Sequence, residues 1–319
     1  MLMRNGLNEK KQRMKPLKNS SRRGLFSLLM MSPLYLLVIV FILVPIILMV
    51  VMSFTKMGLT LQWDFIGLQN YTKMFANPKM KEIIFRTLSF VVVNTVLSVA
   101  GSIFIVVITT YYLDIVYRRE NLGLLYRIIW LLPSLTPSVV YAFIWKFVFR
   151  VTDAGLLNGI LVRLGMDTVP WFSVGSLPIL MFVCCLSSAS GSIILFSSAV
   201  RHIPDSVIQA ARVDGASNLY ICRRIVLPYL RWPITQKTLW NILGFFCTYE
   251  IIKLLTEGGP MGKTTIYSYY IYQNAYNLKT FGMGAALSVF LVALSCVMGL
   301  IVLRLFKVDK QLNEPRMDI

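Results

Sequence analysis

PDSVIQAARVDGASNLYICRRIVLP, residues 204–228, is a polar stretch held between two long apolar runs, about 177–200 and 233–255. Its residues spell two short helices. Asp205 after Pro204 makes a helix start, with Asp205 as N-cap and its carboxylate near the positive helix end. A helix follows from Ser206 to Val213, and Gly215 supplies the left-handed stop. Ser217 caps a second helix from Asn218 to about Val226, which Leu227-Pro228 ends. The small pair Ala210-Ala211 allows close approach by another surface, and Arg223 and Arg224 suit lipid headgroups or an acidic partner. Two separately capped helices are more than a connection between spans requires. The plainer alternative is that they are extensions of the flanking helices.

Working outward, the apolar runs decide the class. The hydrophobic fraction is 56% and 14% of residues are charged, against roughly 45–50% and about 25% in soluble domains. The excess is gathered into blocks at about 27–54, 87–113, 128–149, 177–200, 233–255 and 281–306. Each reaches the roughly 20 residues that a helix rising 1.5 Å per residue needs to cross a bilayer. The expectation is an all-α polytopic membrane protein with six transmembrane helices. The alternating runs of about 10 residues that a β-barrel needs are absent.

The net charge of +18 suggests nucleic acid until its distribution is read. With the N-terminus inside, cytoplasmic segments hold 21 of the 32 lysines and arginines, including the basic tail to Arg23, Arg118, Arg119, Arg201 and Lys237. The positive-inside rule then places both termini in the cytoplasm and removes the need for a nucleic-acid partner. Membrane lipid is the expected contact of the basic tail. The domain plan is a cytoplasmic tail 1–25, a membrane domain 26–308 with cytoplasmic segment 201–232, and a tail 309–319. The first apolar run exceeds a signal-peptide core and should stay as an uncleaved helix.

Five cysteines in membrane or cytoplasmic positions argue against a disulfide framework, and the single histidine, His202, is too little for a metal site. Pro133 and Pro137 predict a kink in the third span. Trp63 to Tyr71 predicts an interfacial turn or a short helix lying flat, and residues 151–176 should hold another short helix.

The pattern Ala210-Ala211, Gly215, Ile225, Leu227-Pro228 resembles the EAA signature of permease subunits of ABC importers, with Gln209 standing where the family carries Glu. Phe65-x-Gly67-Leu68-x-Asn70-Tyr71 and Leu255-Thr256-Glu257-Gly258-Gly259-Pro260 resemble motifs of its carbohydrate-type members. The resemblance covers about residues 28–308 and implies a type I ABC importer transmembrane domain in the bacterial cytoplasmic membrane. It also implies partners: a sister permease, two ATPases and an extracytoplasmic solute-binding protein. ATPase coupling would then fall to Gln209, Ala210, Ala211, Asp214, Gly215, Ile225, Leu227 and Pro228. No cofactor is expected in this chain, because ATP and Mg would be bound by the partner ATPases.

Gly262-Lys263-Thr264 invites a phosphate-loop reading, but the motif needs a glycine where Glu257 stands, and Pro260 interrupts the loop. Polar groups at membrane depth tend to face a cavity or another helix. Two clusters qualify as substrate pathway. Ser188 and Gly191 lie in a small-residue stretch of the fourth span, and Asn241, Phe245 and Thr248 fall on one stripe of the fifth. An amide, a hydroxyl and an aromatic on one stripe suit a sugar, which offers hydroxyls and an apolar ring face. Interhelical packing is the alternative for both. Glu250 and Lys253 are expected to pair. Three functions compete: a passive translocation subunit for a carbohydrate, an ion-coupled secondary transporter, and a membrane enzyme. For the last, no paired carboxylates, metal ligands or nucleophile–base set is found.

Overall fold

The computed structural model describes residues 20–308; the tail expectations for residues 1–19 and 309–319 lie outside them. Two units make up the chain, Met1–Val51 and Met52–Ile319. The described part of the first is helix α1, which runs Ser20–Val38, a π turn Ile39–Leu43 and Val44–Met52 at the unit boundary. From Leu28 to Met52 it is apolar on all sides, the pattern of a helix that faces lipid.

In the second unit the chain forms α2 (Gln69–Ala76), α3 (Met80–Val116, its last ten residues in π register), α4 (Glu120–Leu135), α5 (Ser138–Val148) and α6 (Leu156–Arg163). It continues through α7 (Trp171–Arg201), α8 (Asp205–Val213), α9 (Asn218–Ile221), α10 (Leu227–Tyr229) and α11 (Arg231–Cys247). It ends with α12 (Glu250–Leu255), α13 (Tyr267–Tyr272) and α14 (Phe281–Leu305). No strand occurs among the described residues; one isolated bridge joins Thr55 and Phe65.

Four helices, α1, α3, α7 and α14, are long and apolar enough to cross a membrane, and the bent pair α4–α5 makes a fifth if it counts as one span. The expected kink at Pro133 and Pro137 is a turn of 103° between α4 and α5. Pro137 lacks an N–H and biases Thr136 to extended backbone (φ −78, ψ 126), so the helix stops there. The fifth expected span, 233–255, is divided: α11 ends at Cys247, and α12 starts again at Glu250 after an extended Thr248.

Small residues let α3 and α7 approach. Ser98 Oγ donates to Ser188 Oγ (3.1 Å), Ser102 Oγ to the Ala189 carbonyl (3.2 Å), and Thr110 Oγ1 to Ser197 Oγ (3.1 Å). Such interhelical bonds stabilise a membrane bundle by about 0.6 kcal/mol each. Helix α11 packs across α3 and α14, and an aromatic and aliphatic core of Phe90, Tyr141, Leu180, Phe245, Phe246 and Ile252 fills the junction.

The loop before α2 shows why its motif has those residues. Gly67 has φ +57. Asn70 Nδ2 donates to the carbonyls of Ser53 (2.9 Å) and Thr55 (2.8 Å), and Tyr71 Oη donates to Ser53 Oγ (2.8 Å). A buried amide thereby satisfies two backbone acceptors that no ladder reaches. Asn158 does the same at α6: its Nδ2 lies within bonding distance of the carbonyls of Arg150, Val151 and Val169, and its Oδ1 accepts from Val169 N and Trp171 Nε1.

Candidate functional site: a lined cavity and a two-helix docking segment

Segment 204–228 folds as two helices around a left-handed Gly215 with φ +79. Ser217 caps the second, its Oγ accepting from Tyr220 N (3.3 Å). Two boundary expectations are corrected. Pro204 is the N-cap, and Asp205 is the first helical residue, with no side-chain capping bond. Its carboxylate still lies beside the free N–H groups of the first turn. The second helix passes through Pro228 to Tyr229, because a π turn at Cys222–Val226 widens the backbone just before the ring. An identical arrangement precedes Pro45 in α1, where the π turn is Ile39–Leu43. Widened turns of this kind absorb a residue that cannot donate to the i−4 carbonyl.

The segment has two faces. Ile208, Ile221, Cys222, Val226 and Leu230 are buried with Val106, Tyr111, Phe196 and Val200 at one end of α3 and α7. Tyr111 Oη donates to the Asn218 carbonyl (2.9 Å), a further tie to α3. Burial pushes the Cys222 thiol upward, which makes it a packing residue rather than a reactive one. The opposite face is open: Gln209, Ala210, Asp214 and Gly215 are exposed, as are the apolar Val213 and Leu219, at 88% and 70%. Ala211, Ile225 and Leu227 are half-buried and pack toward the bundle, and Pro228 is half-buried too. The signature therefore combines an outward-facing half with a half that fastens the segment to the spans.

Beside this attachment lies a charged cluster. Asp114 is buried, and its Oδ2 accepts from Arg127 Nη1 and from Arg201 Nη2, the latter at 2.7 Å. The other oxygen, Oδ1, packs on Gly123, where an added Cβ would come within 1.8 Å of it.

A cavity of about 490 Å³ opens between α7, α11 and the α4–α5 bend. Ser188, Asn241, Phe245 and Thr248 line it, with Tyr141, Trp240 and Glu250. Gly191 does not line it directly; it lies under Lys237 Nζ, which does. Ser98, Ser188 and Asn241 form a closed polar triangle: Ser188 Oγ donates to Asn241 Oδ1 (3.0 Å), and Asn241 Nδ2 donates to Ser98 Oγ (3.3 Å). Asn241 and Ser188 thus join three helices and also edge the cavity. Thr248 folds back, its Oγ1 donating to the Gly244 carbonyl (2.9 Å).

The expected Glu250–Lys253 pair does not form. Glu250 Oε1 accepts from Ser138 Oγ (2.8 Å), and Lys253 Nζ sits over the Tyr272 ring, 4.4 Å from its centroid. The break at Thr248 puts Glu250 in the first turn of a new helix, turned toward α5. The carboxylates that an ion-coupled transporter would use are therefore already engaged, Asp114 by two arginines and Glu250 by a serine.

Gly262-Lys263-Thr264 is a turn whose carbonyls, not its amides, face a cation. Arg86 Nη1 donates to the carbonyls of Gly262 (2.6 Å) and Thr265 (3.1 Å). A phosphate cradle requires the opposite polarity.

Residues 105–307 match the family described as binding-protein-dependent transport system inner membrane component. The chain belongs to this family. It is a multi-pass inner-membrane permease. The sulfoquinovosyl glycerol transport system permease protein SmoG of Agrobacterium fabrum is 30% identical to this permease over 293 residues, covering 89% of this chain and 91% of SmoG. The trehalose/maltose transport system permease protein MalF of Thermococcus litoralis is 28% identical, covering 84% and 89%. Among solved structures, a chain of the bacterial ABC transporter involved in import of the acidic polysaccharide alginate superposes with a TM-score of 0.75. At 20% identity, covering 92% of this permease and 99% of that chain, the likeness concerns the fold.

Proposed function

We propose that this permease forms half of the translocation pathway of an ATP-driven importer for a carbohydrate or glycoside. The other parts are a sister permease, two ATPases that bind ATP and Mg, and an extracytoplasmic solute-binding protein. Both termini and segment 201–232 face the cytoplasm. This chain carries no ATPase site of its own and acts as a passive subunit. The observation that carries the reading is the two-faced docking segment, fastened by Ile208, Ile221 and Val226 to α3 and to α7, the latter a wall of the cavity. Motion of an ATPase against the exposed Gln209–Gly215 face would reach Ser188 and Asn241 through α7 and α11. Gln209 keeps hydrogen bonding but brings no charge to that contact, so ATPase docking there rests on shape and amide bonds. The solutes named for SmoG and MalF are sugars or glycosides, in keeping with hydroxyl, amide and aromatic groups around the cavity.

The test is Gly215→Pro in the complete importer. Proline fixes φ near −65°, which the left-handed turn excludes. Membrane insertion should survive, while ATPase association and ATP-dependent uptake are lost. An added Cβ meets open space at Gly215, so Gly215→Ala should retain most transport, paying only the left-handed strain of about 1–2 kcal/mol. Uptake by this chain alone, driven by an ion gradient, would overturn the reading.

A further inference from the structure

Lys237 was counted with the cytoplasmic cations of the sequence, and the structure adds where its side chain goes. It lies in the second turn of α11, half-buried, on the wall of the cavity. A lysine near a membrane end ordinarily extends its stem toward the headgroups. Here the ammonium is instead held over Gly191, within 3.2 Å of where a Cβ would stand. Gly191 is ten residues inside the Arg201 end of α7, about 15 Å along the helix axis. A Cβ at Gly191 would crowd the ammonium and shift it by a few tenths of an ångström.

Among the described residues, Lys237 makes no ion pair, hydrogen bond or ring contact. The three ion pairs of the unit use Arg86, Arg127 and Arg201. The acid on the same cavity wall, Glu250, lies beyond the end of α11 and is bound to Ser138. A desolvated cation without a counter-ion is costly at membrane depth, and such groups mark solute pathways. The neighbouring wall supplies Ser187, Ser188 and Asn241 for hydroxyls, and Phe245 and Trp240 for an apolar ring face.

We infer that Lys237 is the binding group for an acid on the transported solute, so that the pathway takes an anionic saccharide or glycoside rather than a neutral one. This rests on the proposed role of the cavity as the carbohydrate pathway. The acid is an oxyanion, whether carboxylate, sulfonate or phosphate, since a lysine ammonium pairs with each as a point charge. Phe245 and the Ser188–Asn241 pair hold the sugar, and Lys237 selects for the charge.

The experiment uses the complete importer, with its own solute-binding protein, in ATP-loaded proteoliposomes. An equimolar mixture is offered: glucose, maltose and maltotriose as neutral members; glucuronic acid, a glucuronosyl disaccharide, glucose 6-phosphate and 6-sulfoglucose as acidic ones. Mass spectrometry reads what enters, and the acidic arms separate carboxylate, phosphate and sulfonate. Uptake should be confined to acidic members. Lys237→Met should lower it about tenfold or more, as expected for a lost charge-assisted bond, with ATPase assembly intact, and Lys237→Arg should restore most of it. Neutral saccharides entering the wild-type vesicles, or acidic uptake unchanged in Lys237→Met, would overturn the assignment while leaving the carbohydrate reading standing. Failure of every saccharide to enter would overturn both.

Discussion

Arg127→Met tests the charged cluster where the docking segment meets the bundle. Asp114 is 5% exposed and Arg127 9%, so their pair lies out of reach of bulk water. Removing the guanidinium leaves a buried carboxylate whose remaining partner, Arg201, has a side chain 49% exposed. Breaking a buried pair from one side costs about 3–5 kcal/mol, because the remaining charge is desolvated and unmatched. Arg201→Met removes a solvent-screened partner and should cost about 0–1 kcal/mol. The two substitutions delete similar guanidinium contacts to one oxygen, Asp114 Oδ2, yet should differ several-fold in effect. The double variant Asp114→Leu/Arg127→Met removes both charges and fills the space with apolar atoms. It should be more stable than Asp114→Leu alone. Fluorescence-detected size exclusion of the heated, detergent-purified complex gives the ranking; a loss of 3–5 kcal/mol lowers the midpoint on the order of 10 °C. If Arg201→Met proves as damaging as Arg127→Met, or if the double variant equals the sum of its parts, the assignment of the stability to a buried pair is wrong.

Other parts of the structure give sharp outcomes as well. Gly282→Ala would place a Cβ 2.1 Å from the Thr55 carbonyl oxygen, a backbone atom that cannot swing aside. It should break the Gly282 N to Met57 O bond (2.9 Å) and lower complex yield, measured by size exclusion; Gly299→Ala, with nothing within 4 Å, is the harmless control. Asn241→Leu removes one corner of the triangle and leaves only the Ser98–Ser188 bond, so Ser188 Oγ loses its acceptor and Ser98 Oγ its donor, at about 1–3 kcal/mol. Uptake should fall further than thermal stability does; an equal fall would mean that Asn241 serves packing alone.

What the sequence made legible follows from the kind of signal each feature carries. Apolar blocks and prolines act over one turn or one span, so the helices, the Pro137 bend and the Gly215 turn could be read directly. The docking segment was legible because capping residues and the left-handed glycine are local devices. Its errors were local too: a proline can end a helix or be absorbed by a π turn just before it, and at Pro228 the second outcome carries the helix on to Tyr229. The break at Thr248 was missed because Thr248 fits a helix as well as it fits a gap, and the partners of Glu250 and Lys253, Ser138 and Tyr272, lie on other helices. Contacts between distant residues were beyond reach. Asp114 has its partners 13 and 87 positions away, and its fit depends on Gly123, which is unremarkable in sequence. Lys237 illustrates the point best. Charge counting placed it with the cytoplasmic cations. The packing of α11 on α7 brings its ammonium over Gly191 on the cavity wall, a contact between residues 46 positions apart that no local pattern carries.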